Sequence, residues 1–267
     1  MKPAAMIVLL AAIFVITGIS AELRAQPGDW YSRGIIRQQT VDLIAARQKR
    51  QNYDSYLAKI RRLRILQRHG PFTHAPGPNS KKPVGGGTTV GASNTTFQPV
   101  EQPFVPQQLA ARLGNTDQER KYIEEVLIKC LNFYTDTARQ KGVPLYDVAR
   151  ALNYYVVINY FVYTMGAGPT KDQMDATREM IRANMVEDET FRRMSDREKQ
   201  ESYETLIVLA GFVDLGYGTA KQSGNEKLAA QFREMAKYNL ETVLGAPVEK
   251  IHFTDEGWLS TEDPKVN

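Results

Sequence analysis

Cysteine occurs once, at Cys130, so no disulfide can form within the chain. Histidine occurs three times, at His69, His74 and His252, with no HExxH and no paired cysteine beside it, which leaves a zinc site without its usual ligands. Serine chemistry is equally poorly supplied. "GASNT" at Gly91 is not a G-x-S-x-G elbow, because Asn94 and Thr95 follow the serine. The run Gly85, Gly86 and Gly87 has no strand pattern before it and no GKS/T after it, so it is a poor phosphate loop. Neither a catalytic set nor a cofactor or metal site emerges from these residues.

Long apolar runs are scarce as well. Residues 4–19 form an uncharged apolar stretch behind Lys2, shorter than the ~20 residues that span a bilayer. Gly18, Ser20, Ala21 and Ala25 follow it, the layout of a secretory signal peptide over 1–25, cleaved after Ala21 or Ala25. The other reading is an anchor helix that is kept. No cysteine follows the run, which excludes a bacterial lipoprotein anchor. Export without disulfides points to a bacterial periplasmic or secreted protein with no transmembrane span in the mature chain. It also argues against nucleic acid as a partner.

What is present is a charge asymmetry. The formal net charge is +4, but residues 22–115 carry 14 basic and 5 acidic side chains, and residues 116–267 carry 19 and 25. A basic arm therefore precedes an acidic domain, and the arm is expected to meet something anionic. Residues 38–68 read as a basic amphipathic helix. Tyr53, Tyr56, Leu57, Ile60 and Leu63 form its apolar stripe, with Arg61, Arg62, Arg64 and Arg68 off the stripe or at its edge. These four arginines are the candidate contacts to an anionic envelope surface. Residues 69–111, rich in Pro, Gly, Ser and Thr, read as a disordered linker.

From residue 112 to 259 the pattern is that of an all-α domain, a compact bundle of about five helices with its own core, followed by a tail, 260–267. "TDQE" at Thr116 and "SDRE" at Ser195 are capping boxes. Cys130 falls on the apolar stripe of Val126, Leu127 and Tyr134, which makes it a structural residue. "LNYYVVINYFVY", beginning at Leu152, is apolar nearly all round and reads as a buried central helix. Gly245 is placed to end the last helix, whose core stripe includes Phe232, Ala236 and Leu240.

The segments "TTFQPV", "DVARALNYYVVINYFVY", "SDREKQESYETLIVLAGF" and "QFREMAKYNLETVLG", in this order behind a signal peptide, resemble an uncharacterised family of exported bacterial proteins, a domain of unknown function. The resemblance covers roughly residues 95–259 and leaves the basic helix outside. It implies an all-helical domain and brings no active site with it.

Two groups of residues remain as candidates for chemistry. Asp172, Asp175 and Glu179 share a helix face, and Glu187, Asp188 and Glu189 cluster at a helix junction; either set could bind calcium, but neither has the ligand order of an EF-hand, and both read as solvated faces. Glu198, Glu201 and Glu204 read as surface and cap residues. Asn153, Tyr154, Asn159 and Tyr160, on the apolar helix, either line a cleft for a sugar or peptide or fill the core with their polar atoms satisfied. The functional expectation is an exported, non-enzymatic helical module that binds a protein or an anionic envelope component. The competing expectation is an envelope-acting hydrolase whose carboxylates are not identifiable.

Overall fold

The computed structural model describes residues 95–260. The signal segment 1–25, the basic stretch 38–68 with Arg61, Arg62, Arg64 and Arg68, the linker as far as residue 94, and residues 261–267 lie outside the described residues. Seven helices follow one another: α1 Val105–Leu113, α2 Asp117–Gln140, α3 Val148–Tyr163, α4 Lys171–Glu187, α5 Glu189–Arg192, α6 Asp196–Gln222 and α7 Glu226–Leu244. A 3-10 turn, Val248–Lys250, leads into an antiparallel hairpin of β1 Ile251–Thr254 and β2 Gly257–Ser260, in which Ile251 pairs with Ser260.

The helix starts are set by short-range chemistry. Thr116, Thr170 and Ser195 each close a reciprocal capping box with the Glu or Gln three residues on. Asp147, Asp188 and Asn225 cap α3, α5 and α7 through side-chain oxygens. Each such cap satisfies an amide that would otherwise be orphaned and is worth about 1 kcal/mol. Gly245 ends α7 in the left-handed region, φ 71°.

At the centre is α6, about 40 Å long at 1.5 Å per residue. It packs on α1, α2, α3 and α7, while α3 packs on α4, α6 and α7. Two glycines let neighbours close on α6. A Cβ at Gly211 would lie 2.8 Å from the Cβ of Cys130 on α2, and one at Gly216 would lie 2.0 Å from the ring of Phe232 on α7. Between α3 and α7 the core holds a polar pair. Asn239 donates to Asn159 Oδ1 at 2.7 Å, and Asn159 donates to the Tyr155 carbonyl at 2.8 Å.

The all-α expectation holds, with five long helices, but three details differ. The first is the hairpin, which the helical pattern did not show. It packs on α4 and buries Trp258. Its turn is made locally: Thr254 Oγ1 donates to the Gly257 carbonyl and accepts from the Glu256 amide.

The second concerns residues 95–111, expected to be the end of a linker. They are packed. Phe97, Val105, Leu109 and Ala110 are buried in the core, and the chain at 95–97 pairs with the segment before α3, Val148 N donating to Thr95 O and Phe97 N to Tyr146 O. Composition misled because its Pro and polar residues punctuate a few well-spaced apolar anchors rather than dilute them.

The third is Glu204, read as a surface or cap residue. It is buried on α6, where Oε2 accepts from the amides of Phe104 and Val105, both at 3.0 Å, at the start of α1. One turn back, Gln200 accepts from Val100 N and donates to Glu101 O and Glu204 Oε1. A further turn back, Asp196 accepts from Gln98 N. This i, i+4, i+8 row substitutes side chains for the strand that residues 98–105 lack, and so satisfies their backbone.

Candidate functional site

Tyr134 of α2 meets Tyr154 of α3, and beside this contact α2, α3 and α4 leave a gap. A cavity of about 300 Å³ fills that gap. Its floor is one face of α3. Arg150, Asn153, Tyr154, Val157, Ile158 and Phe161 succeed one another at helical spacing and all line it. Phe133, Tyr134, Ala138 and Lys141 come from α2 and its end, with Val143 just beyond. Lys171, Met174, Asp175 and Arg178 form a second helical stripe, from α4, and Asp214 reaches in from α6.

The walls are mainly apolar and aromatic, with Tyr134 and Tyr154 edge to face at 4.9 Å. Burial, followed by the nearby Asp214, Cys130 and Tyr134, pushes the Tyr154 phenol well above its ordinary range. Burial and Asp147 do the same for Tyr134. Both phenols therefore keep their protons at neutral pH. Cys130, just behind, is pushed up to about 12 by burial and then by Asp214, so it is an inert thiol.

The charged residues mostly hold one another. Asp175 accepts from Lys171 at 2.6 Å and from Arg178 at 2.8 Å. Burial works to raise its pKa, but the two cations outweigh it and the carboxyl titrates below its ordinary value. Asp147 caps α3 with one oxygen, while the other lies 3.4 Å from Arg150 Nε without hydrogen-bond geometry. Arg150 Nε, a donor, and Asn153 Oδ1, an acceptor, are buried in the wall without a hydrogen-bond partner among the described residues.

The sequence-derived cleft residues thus divide. Asn153 and Tyr154 line the cavity. Asn159 lies on the opposite face of α3, fully buried against Asn239. Tyr160, at the edge of the stripe, stacks edge to face on Phe253 of the hairpin at 4.7 Å. Among the carboxylates singled out in the sequence, Asp175 alone reaches the cavity, and Asp188 is a helix cap. Arg150, Lys141, Arg178 and Asp214 were missed. For Arg150 a signal existed, since it stands one turn before Asn153 on the same face of α3. Asp214 had none, because only the packing of α6 brings it to α3.

Among the described residues no three His, Cys, Asp or Glu side chains gather as a metal-holding group, and no helix is long and apolar enough to cross a membrane. No curated protein and no solved structure matches the chain. One sequence family does match, over residues 5–261, so that the match takes in the basic stretch 38–68, which the resemblance had left outside. With nearly the whole sequence covered, the chain belongs to a family of unknown function, DUF6683.

Proposed function

We propose that this protein is an exported, non-enzymatic binding module whose helical domain holds a small ligand in the cavity between α2, α3 and α4, while the basic stretch 38–68 contacts an anionic envelope surface. The observation that carries the first part is the cavity lining: apolar walls beside Asn153 Oδ1 and Arg150 Nε, buried polar atoms that make no hydrogen bond among the described residues. Buried polar groups are almost always satisfied. Concave, mainly apolar sites with a few polar groups are where small molecules bind. The charge asymmetry of the sequence supports the second part.

An envelope hydrolase would need two convergent carboxylates, one kept protonated by a raised pKa. Asp175 is shifted the opposite way and is held by two cations. The binding reading therefore has the better support.

The test is recovery of the protein from its native envelope, followed by denaturation and mass spectrometry of whatever is released. Wild type should release a stoichiometric small molecule, and Val157→Trp, which fills the cavity, should release little or none. An empty wild-type protein that degrades envelope glycans, with the activity lost in Asp175→Asn, would overturn the reading in favour of hydrolysis. Replacing Arg61, Arg62, Arg64 and Arg68 by Gln should abolish sedimentation with anionic vesicles at low salt, since each basic residue near such a surface contributes about 1 kcal/mol.

A further inference from the structure

We infer that the cavity takes a small amphipathic monoanion, a carboxylate head on an apolar tail, with the head at the Arg150–Asn153 end of α3 and the tail at the Phe161 end. This rests on the binding-module reading and specifies its ligand class.

Three observations carry it. The first is polarity along the floor. From Arg150 to Phe161 the α3 stripe runs about 17 Å, and it is graded. Arg150 and Asn153 come first, Tyr154 is intermediate, and Val157, Ile158 and Phe161 follow. The short connections make α2 and α4 antiparallel neighbours of α3. Lys141, at the end of α2, therefore joins the Arg150 end, and Phe133, about two turns back, joins the Phe161 end. On α4, Arg178 falls toward the head end of α3. Lys171 falls toward the tail end, where Asp175 pairs with it.

The second is charge. Lys141, Arg150, Lys171 and Arg178 line the cavity with Asp175 and Asp214. Counted with the ion-pair partners Asp147 of Arg150 and Glu179 of Arg178, four cations face four carboxylates, but three of the cations, Lys141, Arg150 and Arg178, stand toward the head end, where they favour an anionic head. The third is the pair of orphan atoms. Arg150 Nε, 3.4 Å from Asp147 Oδ2, makes no hydrogen bond, and Asn153 Oδ1 receives none. A carboxylate oxygen supplies the acceptor, and a water bound to the other carboxylate oxygen supplies the donor. Size sets the limit on the tail. At roughly 30 Å³ per water-sized unit, the volume holds about ten such units, the scale of an eight-carbon fatty acid.

The experiment is isothermal titration of the purified protein with octanoate, 1-octanol and inorganic phosphate. Octanoate should bind saturably at one per chain, 1-octanol at least tenfold more weakly, and phosphate not at all. Val157→Trp should weaken octanoate binding at least tenfold with the helical circular dichroism unchanged. Should that variant fail to fold, Asn153→Asp serves in its place. It sets a carboxylate beside the head, and should weaken octanoate at least tenfold while leaving 1-octanol unaffected. Equal binding of octanol and octanoate would overturn the anionic head yet leave the binding module standing. Absence of binding by either, together with an empty protein from the envelope, would overturn both. Octanoate binding that is indifferent to Val157→Trp and Asn153→Asp would place the ligand elsewhere and overturn the inference.

Discussion

Glu204 is the residue on which the N-terminal edge of the domain depends. Its carboxylate takes the first two amides at the start of α1 and one hydrogen of Gln200. Truncation to Ala strands those amides in a buried site, and an unsatisfied buried donor costs about 1–3 kcal/mol. Glu204→Ala should therefore lower the unfolding free energy by about 2–4 kcal/mol in urea titration, well beyond an ordinary surface change. Its titration gives a second signature. Burial raises its pKa above 4.5, against the opposing hydrogen bonds from Val105, Gln200 and Phe104. The folded state thus keeps this proton to a higher pH than the unfolded chain does. In the window from about 4.5 up to the folded value, the native state binds more protons, so this group's contribution to stability falls as the pH rises. The difference between wild type and Glu204→Gln should shrink over that window, and a difference that grows with pH would contradict the assignment.

At the scale of elements, the close approaches at α6 decide how its neighbours sit. Phe232 is fully buried and its ring lies 5.6 Å from that of Phe212, so it has nowhere to move when a methyl is added at Gly216. Overpacking of this kind costs about 1–3 kcal/mol, more than the ~1 kcal/mol that Ala gains over Gly in a helix. Gly216→Ala should therefore lower the thermal midpoint, and an unchanged or raised midpoint would show that α7 can shift away. This level also shows what the sequence could reveal. Thr116, Ser195 and Gly245 were legible because cap and partner lie within a turn of each other. The stripes of α2 and α7 were legible because one face of each is buried. Glu204 was not, because its partners are backbone amides about a hundred residues away. Asn153 and Asn159 looked alike in the sequence, two amides in one apolar helix. Only the placement of α7 against one face and of the cavity against the other separates a core pair from a cavity wall. The hairpin was hidden by its brevity, four residues a strand.

For the molecule as a whole, the packed core takes in residues ahead of 112. Phe97, Val105 and Leu109 are buried, and full burial of such side chains is worth about 1.5–3 kcal/mol each. That total, about 5–9 kcal/mol, is comparable with the ~5–15 kcal/mol of a typical domain. A fragment covering 95–260 should melt cooperatively, and one covering 112–260 should not. Cooperative melting of both at similar temperatures would return the segment to the role of a linker. The gap between α2, α3 and α4 is, on the proposed function, a ligand site and not a packing defect. The most direct measurement is a methyl-resolved NMR titration of the purified protein with octanoate. Methyls of Val157, Ile158 and Met174 line the cavity, whereas those of Val213 and Leu240 are buried elsewhere in the core. The first three should shift together and saturate at one octanoate per chain while the last two stay in place. Shifts spread evenly over both sets, or no shift in the folded protein at saturating octanoate, would contradict the account.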